Sequence, residues 1–89
     1  PVVEEVREPL VDVFDEKEAI RVIAELPGVE ANDIKVELEG DILTLAAEGK
    51  DRKYTKEVLL PAKGKRESLK SSYRNGILEV TVAKAGKGT

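Results

Sequence analysis

Apolar residues recur at every second position in one segment after another of this chain, and that period constrains its fold more than any other feature. The clearest case is IKVELEGD, residues 34–41, where Ile34, Val36 and Leu38 alternate with Lys35, Glu37 and Glu39. Successive side chains of a β-strand point to opposite faces, so the period predicts a strand with one buried and one wet face. A second case, SSYRNGILEVTV at 71–82, carries Asn75-Gly76 between two runs of the same kind. Asn-Gly is a strong hairpin signal, because a type I′ turn needs positive φ at both central residues. Beyond it Leu78, Val80 and Val82 fall on one face, with Ile77, Glu79, Thr81 and Ala83 on the other.

The same reading extends along the chain. Gly40-Asp41 is another two-residue hairpin turn, and ILTLAAE (42–48) is the partner strand of 34–41. Residues 9–17 form a short strand with Phe14 opposite Val11, Val13 and Asp15. Residues 19–28 alternate Ile20, Val22, Ala24 and Leu26 and stop at Pro27-Gly28; Asn32-Asp33 then redirects the chain in a local turn. Residues 54–61 alternate Tyr54, Lys56, Val58 and Leu60 before Pro61, and 68–73 enter the Asn-Gly hairpin. No segment has a helical period. About seven short antiparallel strands with turns between them predict an all-β sandwich over 9–84, preceded by an extended arm (1–8) and followed by a polar tail (85–89).

At 89 residues the chain is one domain. It contains no Cys, His, Met or Trp, which excludes disulfides, thiolate metal sites, Ser-His-Asp and Cys-His catalysis and a histidine switch. Charged residues make up 37% with a net charge of -3, a mixed surface that argues against a nucleic-acid partner, and one Phe and two Tyr are too few for base stacking. No apolar run approaches the roughly 20 residues of a membrane span and no signal-peptide pattern opens the chain, so no membrane and a cytoplasmic address are expected. The start at Pro1 suggests a processed chain or a piece of a longer one.

The charged clusters carry little chemistry. Lys63, Lys65 and Arg66, followed by Glu67, read as a solvated loop. Asp12, Asp15, Glu16 and Glu18 miss the spacing of a calcium loop and read as a turn cap that guards a strand end against aggregation. Paired carboxylates need a cleft that shifts their pKa values, and none is indicated. The final GKGT lacks the upstream Gly, strand and helix of a phosphate loop. A protein that is not an enzyme and needs no metal or cofactor is expected.

The segment PLVDVFDEKEAIRVIAELPGVEANDIKVELEGDILTLAAE (9–48) resembles the first half of the α-crystallin domain of small heat shock proteins, most closely in ELPGVEANDIKVEL followed by a hairpin and ILTL. The second half is similar too: Leu59-Leu60-Pro61 ends a strand, and SSYRNGIL matches the family's terminal pattern, with Ser71 in place of the usual Ala. The resemblance covers residues 9–84. It implies an immunoglobulin-like β-sandwich and ATP-independent holding of unfolding client proteins or extended peptides. It places a client groove between Ile34, Val36 and Leu38 on one side and Leu69 and Ser71 on the other, where the residues alone also allow the first three to face the core. Tyr54 and Lys56 fall at interface positions, Lys56 standing where the family usually has Arg. A homodimer or larger homo-oligomer is implied, but GKDRK (49–53) replaces the long excursion whose strand swaps between partners. The alternative is a co-chaperone-like interaction module or an accessory domain of a larger protein such as an ATPase.

Overall fold

The computed structural model describes residues 5–86. Its strands are β1 (Val6–Arg7), β2 (Val11–Asp15), β3 (Ala19–Glu25), β4 (Ile34–Glu39), β5 (Ile42–Glu48), β6 (Lys53–Leu59), β7 (Lys70–Arg74) and β8 (Ile77–Ala83), with single 3-10 turns at Ala31–Asp33 and Arg66–Ser68. They form two sheets, ordered β1-β6-β5-β4 and β2-β3-β8-β7. The architecture is an antiparallel-rich β-sandwich, as the alternation predicts.

The turns follow from backbone sterics. Asn75 (φ 55) and Gly76 (φ 80) both take positive φ, the type I′ arrangement that closes β7 onto β8 with Arg74 opposite Ile77. At the β4–β5 turn only Gly40 (φ 65) is positive, which is the II′ pattern, and Glu39 pairs with Ile42. β5 passes to β6 through a tight turn closed by the Gly49 N–H on the Arg52 carbonyl at 2.9 Å, with no strand between them. Residues 8–10, 26–33 and 60–69 carry the chain from one sheet to the other, the last two being the long crossings. In the first, the Glu30 N–H donates to Asp33 Oδ2 at 2.9 Å and closes the Ala31–Asp33 turn.

The core lies between the central strands. β3 contributes Ile20, Val22 and Ala24 and β8 contributes Leu78, Val80 and Val82; they meet Leu43, Leu45 and Ala47 of β5 with Tyr54 and Val58 of β6. Pairing keeps these residues on one face, because Val22 lies opposite Val80 and Leu43 opposite Val58.

Three details depart from the period-2 reading. The stretch read as an extended arm supplies an eighth strand: Val6 and Arg7 run parallel to Lys53 and Tyr54. A two-residue strand leaves no period to read; it exists because β6 presents an open edge. On β2, Val11, Val13 and Asp15 do share the inner face with Ala24, Val22 and Ile20, yet Val13 remains 38% exposed because β2 is the outermost strand of its sheet. Phe14 lies on the outer face, where the Arg21 guanidinium carbon sits 4.8 Å from its ring centroid, a cation–π pair that covers part of an exposed ring. Finally, β7 begins only at Lys70, because Arg66–Ser68 coil into a 3-10 turn held by the Ser68 N–H on the Lys65 carbonyl.

Two substitutions test this account. Leu78→Ala empties a core position that is 2% exposed and is expected to cost about 2–5 kcal/mol in urea unfolding. Gly76→Val forces a β-branched residue to φ 80 and is expected to lower the melting temperature at a cost of about 1–3 kcal/mol; an unchanged midpoint would refute the turn assignment.

Candidate functional site

The sandwich leaves one side open. β4 ends the first sheet and β7 ends the second, so each has an unpaired edge along that side. Two adjoining hollows run between them. One, of about 280 Å³, is lined by Ala31, Ile34, Val36, Leu69, Ser71, Ser72, Tyr73 and Leu78. The other, of about 390 Å³, is lined by Val36, Glu37, Leu38, Glu39, Thr44, Arg66 and Leu69. Val36 and Leu69 belong to both, so the hollows form one groove.

The five residues expected to line a client groove are therefore brought together, Ile34, Val36 and Leu38 on β4, Ser71 on β7 and Leu69 at the end of the crossing that enters β7. Ile34, Val36 and Leu69 are half-buried and give an apolar floor, and Ser71 lies exposed on the β7 bank. Leu38 differs from the rest: it is only 4% exposed and its side chain belongs to the core, where its Cδ2 would stand 3.0 Å from a Cβ on Gly64. Gly64 therefore has to be small for the crossing loop to lie against Leu38 and Val82. Tyr54 and Lys56 are elsewhere. Tyr54 is buried within the chain, and Lys56 shares the inner face of β6 with it while its Nζ reaches Glu8 Oε1 at 3.2 Å.

The backbone of the groove is as specific as its side chains. In an antiparallel ladder the N–H and C=O of one residue point to the same side, and the side alternates along the strand. The Leu38 carbonyl accepts from Arg66 Nε at 3.1 Å, so it points away from β5. Ile34, Val36 and Leu38 consequently all turn their backbone groups toward the open edge. On the other bank the Arg74–Ile77 pair closes the hairpin, which turns Ser71 and Tyr73 outward in the same way.

Two residues that the sequence did not mark shape this site. Arg66, read as part of a solvated loop, bridges to a strand 28 positions away, and no local pattern reports such a contact. Tyr73 sits on the inward register of β7 beside Leu78, and its hydroxyl lies 2.7 Å from the Leu26 carbonyl and 2.9 Å from the Val29 carbonyl. From the other sheet, the Tyr54 hydroxyl donates to the Pro27 carbonyl at 2.6 Å. The two tyrosines thus hold the 26–29 crossing from both sheets; being two of only three aromatics, both on inward positions, they were the available signal. No charged side chain among the described residues is fully buried. The groove offers shape, apolar contact and strand-edge hydrogen bonds rather than acid–base chemistry.

Burial raises the Tyr73 pKa above its ordinary 10.0, helped by the nearby Tyr54 and Asp33. Below that value the group is protonated in both folded and unfolded chains and has no effect on pH dependence. Above it the unfolded chain loses its proton first, so stability falls as pH rises toward the native pKa. Tyr73→Phe is expected to lose about 1 kcal/mol or more at neutral pH and to show a smaller fall above about pH 10, both read by urea titration across pH.

The comparisons with known proteins agree with this geometry. Residues 12–89 match the model of the Hsp20/alpha crystallin family. The chain is 28% identical over 90 residues to the probable 15 kDa heat shock protein of Leptospira interrogans, covering 85% of this chain and 69% of that protein. It is 34% identical over 91 residues to the 17.6 kDa class I heat shock protein 3 of Arabidopsis thaliana, covering 83% of this chain but only 58% of that one. The structure of heat shock protein 16.0 from Schizosaccharomyces pombe superposes with a TM-score of 0.79 at 25% identity, over 91% of this chain and 69% of that one. A family match over most of the chain, a sandwich of the same shape and relatives that are heat shock proteins agree: the chain belongs to the Hsp20/alpha crystallin family.

Proposed function

We propose that this chain is a small heat shock protein-type chaperone that holds partly unfolded proteins, without ATP, by taking an extended aliphatic segment into the groove between β4 and β7. The observation that carries the reading is the pair of unpaired strand edges facing each other across Ile34, Val36 and Leu69. An extended segment adds to such an edge by backbone hydrogen bonds, while hollows between the strands take alternate side chains. Burying two aliphatic side chains contributes a few kcal/mol at about 25 cal/mol per Å², and ordering the segment offsets part of that, so affinities near micromolar are expected. Holding of this kind draws on burial and strand-edge hydrogen bonds and needs no nucleotide. Membership of the family supports the chaperone role.

A second reading, an interaction module serving a larger protein, is favoured by one observation: β5 turns directly into β6, with no intervening strand to exchange with a partner. Size in solution separates the two, since a homodimer or larger homo-oligomer fits the chaperone and a monomer fits the module.

The test is an amide chemical-shift titration with a short Ile-x-Ile peptide, run beside light scattering of a heat-aggregating client without ATP. Shifts clustered at Ile34, Val36, Leu69 and Ser71, with aggregation suppressed, are expected. Shifts confined to other strands would sink the groove reading.

A further inference from the structure

We infer that Arg66 sets the length and register of the segment that the groove accepts, by occupying the one β4 acceptor at which an added strand would otherwise continue. The inference rests on the groove reading above. Along the open edge of β4 the outward backbone groups belong to Ile34, Val36 and Leu38. At one end the Ile34 N–H is already used, donating to the Ala31 carbonyl to close the 3-10 turn. At the other end the Leu38 carbonyl is used by Arg66 Nε at 3.1 Å. What remains open is the carbonyl of Ile34, both groups of Val36 and the N–H of Leu38.

A strand added in either direction can satisfy these remaining groups. Its next hydrogen bond past this window requires the Leu38 carbonyl as acceptor, in the parallel and the antiparallel case alike. The guanidinium therefore stands where the occupant's next N–H would come. The arginine is placed there by the crossing loop: the Gly64 N–H donates to the Gly40 carbonyl at 3.1 Å, and the Leu69 N–H to the Arg66 carbonyl at 3.1 Å. The Leu38 carbonyl is thus closed by a side chain on a short 3-10 turn, and a single substitution frees it, while the Gly64–Gly40 bond still ends the edge beyond it. The groove in this chain selects a short segment centred on Val36, and Arg66 is a specificity-determining residue rather than a solvated loop charge.

The test uses three blocked, uncharged peptides, acetyl-Thr-Ile-Thr-Ile-Thr-amide and the same peptide lengthened by two threonines at its N-terminal or its C-terminal end, titrated into the unmutated protein and Arg66→Ala. In the unmutated protein, lengthening past Leu38 is expected to leave Kd within about twofold. In Arg66→Ala the same lengthening gains one backbone hydrogen bond and is expected to tighten binding roughly threefold to tenfold. The comparison is made within each protein, so a change in overall stability cancels. A second measurement needs no variant: in the complex of the unmutated protein, the amides of the added threonines are expected to exchange with solvent as fast as in the free peptide. An equal gain from lengthening in both proteins, or protected amides past Leu38 in the unmutated one, overturns the role of Arg66 while leaving the groove in place. Failure of the short peptide to shift Ile34 and Val36 in either protein overturns the groove reading and this limit with it.

Discussion

The packing of β3 and β8 against β5 and β6 governs everything else in this molecule. These four strands carry most of the fully buried aliphatic residues, among them Ile20, Val22, Leu43, Leu45, Leu78 and Val80. A chain this short has only enough apolar surface for one such layer. Once the central strands are buried face to face, the outer strands necessarily lie at the margin. That is why β2 keeps the inward-facing Val13 partly exposed and why β4 and β7 keep their edges unpaired. The groove is a consequence of how far the core reaches.

An open edge is a hazard as well as a tool, since unpaired N–H and C=O groups invite pairing with any other chain. The four margins of this sandwich are treated differently. β6 is covered by the two residues of β1, with Lys56 paired to Glu8 beside them. β2 is edged with carboxylates, of which Asp15 is engaged by Lys84 at 2.6 Å. β4 and β7 are left open, and β4 is closed off at its two ends, by the Ala31–Asp33 turn and by Arg66. On β4 the free backbone groups are thus confined to one short stretch, from the Ile34 carbonyl to the Leu38 N–H.

The two long crossings decide whether that stretch keeps its shape. Leu26–Val29 is gripped from both sheets by Tyr54 and Tyr73, and Tyr73 also lines the groove, so one side chain joins the wall of the site to the tie between the sheets. The 60–69 crossing closes the far end, with Gly64 packed against Leu38 and Val82 and the Ser68 hydroxyl accepting from the Ala83 N–H at 2.8 Å. Neither crossing contains regular strand, and both are held by side-chain to main-chain hydrogen bonds, from the two tyrosine hydroxyls in the first and through Ser68 and Arg66 in the second.

The alternation of Ile34 to Glu39 and of Ile77 to Ala83, with the positive-φ turns at Gly40 and Asn75-Gly76, determined by itself that the chain forms antiparallel hairpins, and which side of each is buried. Side-chain period and turn sterics are local quantities, so a sequence displays them directly. The order of β1-β6-β5-β4 and β2-β3-β8-β7 was not local in this sense, and neither was the pairing of Val6–Arg7 with β6. Leu38 shows the limit within a single strand: it alternates like Ile34 and Val36 and lines the groove with them, yet it is nearly fully buried where they are half-buried, because it also lies under Gly64 of the crossing loop. Arg66 shows the same limit for a charge, which one loop's sequence marks as solvated and a distant carbonyl turns into a fixture of the site. Tertiary structure decided these points because each depends on which two edges the crossings bring face to face, a fact that no single segment's period contains.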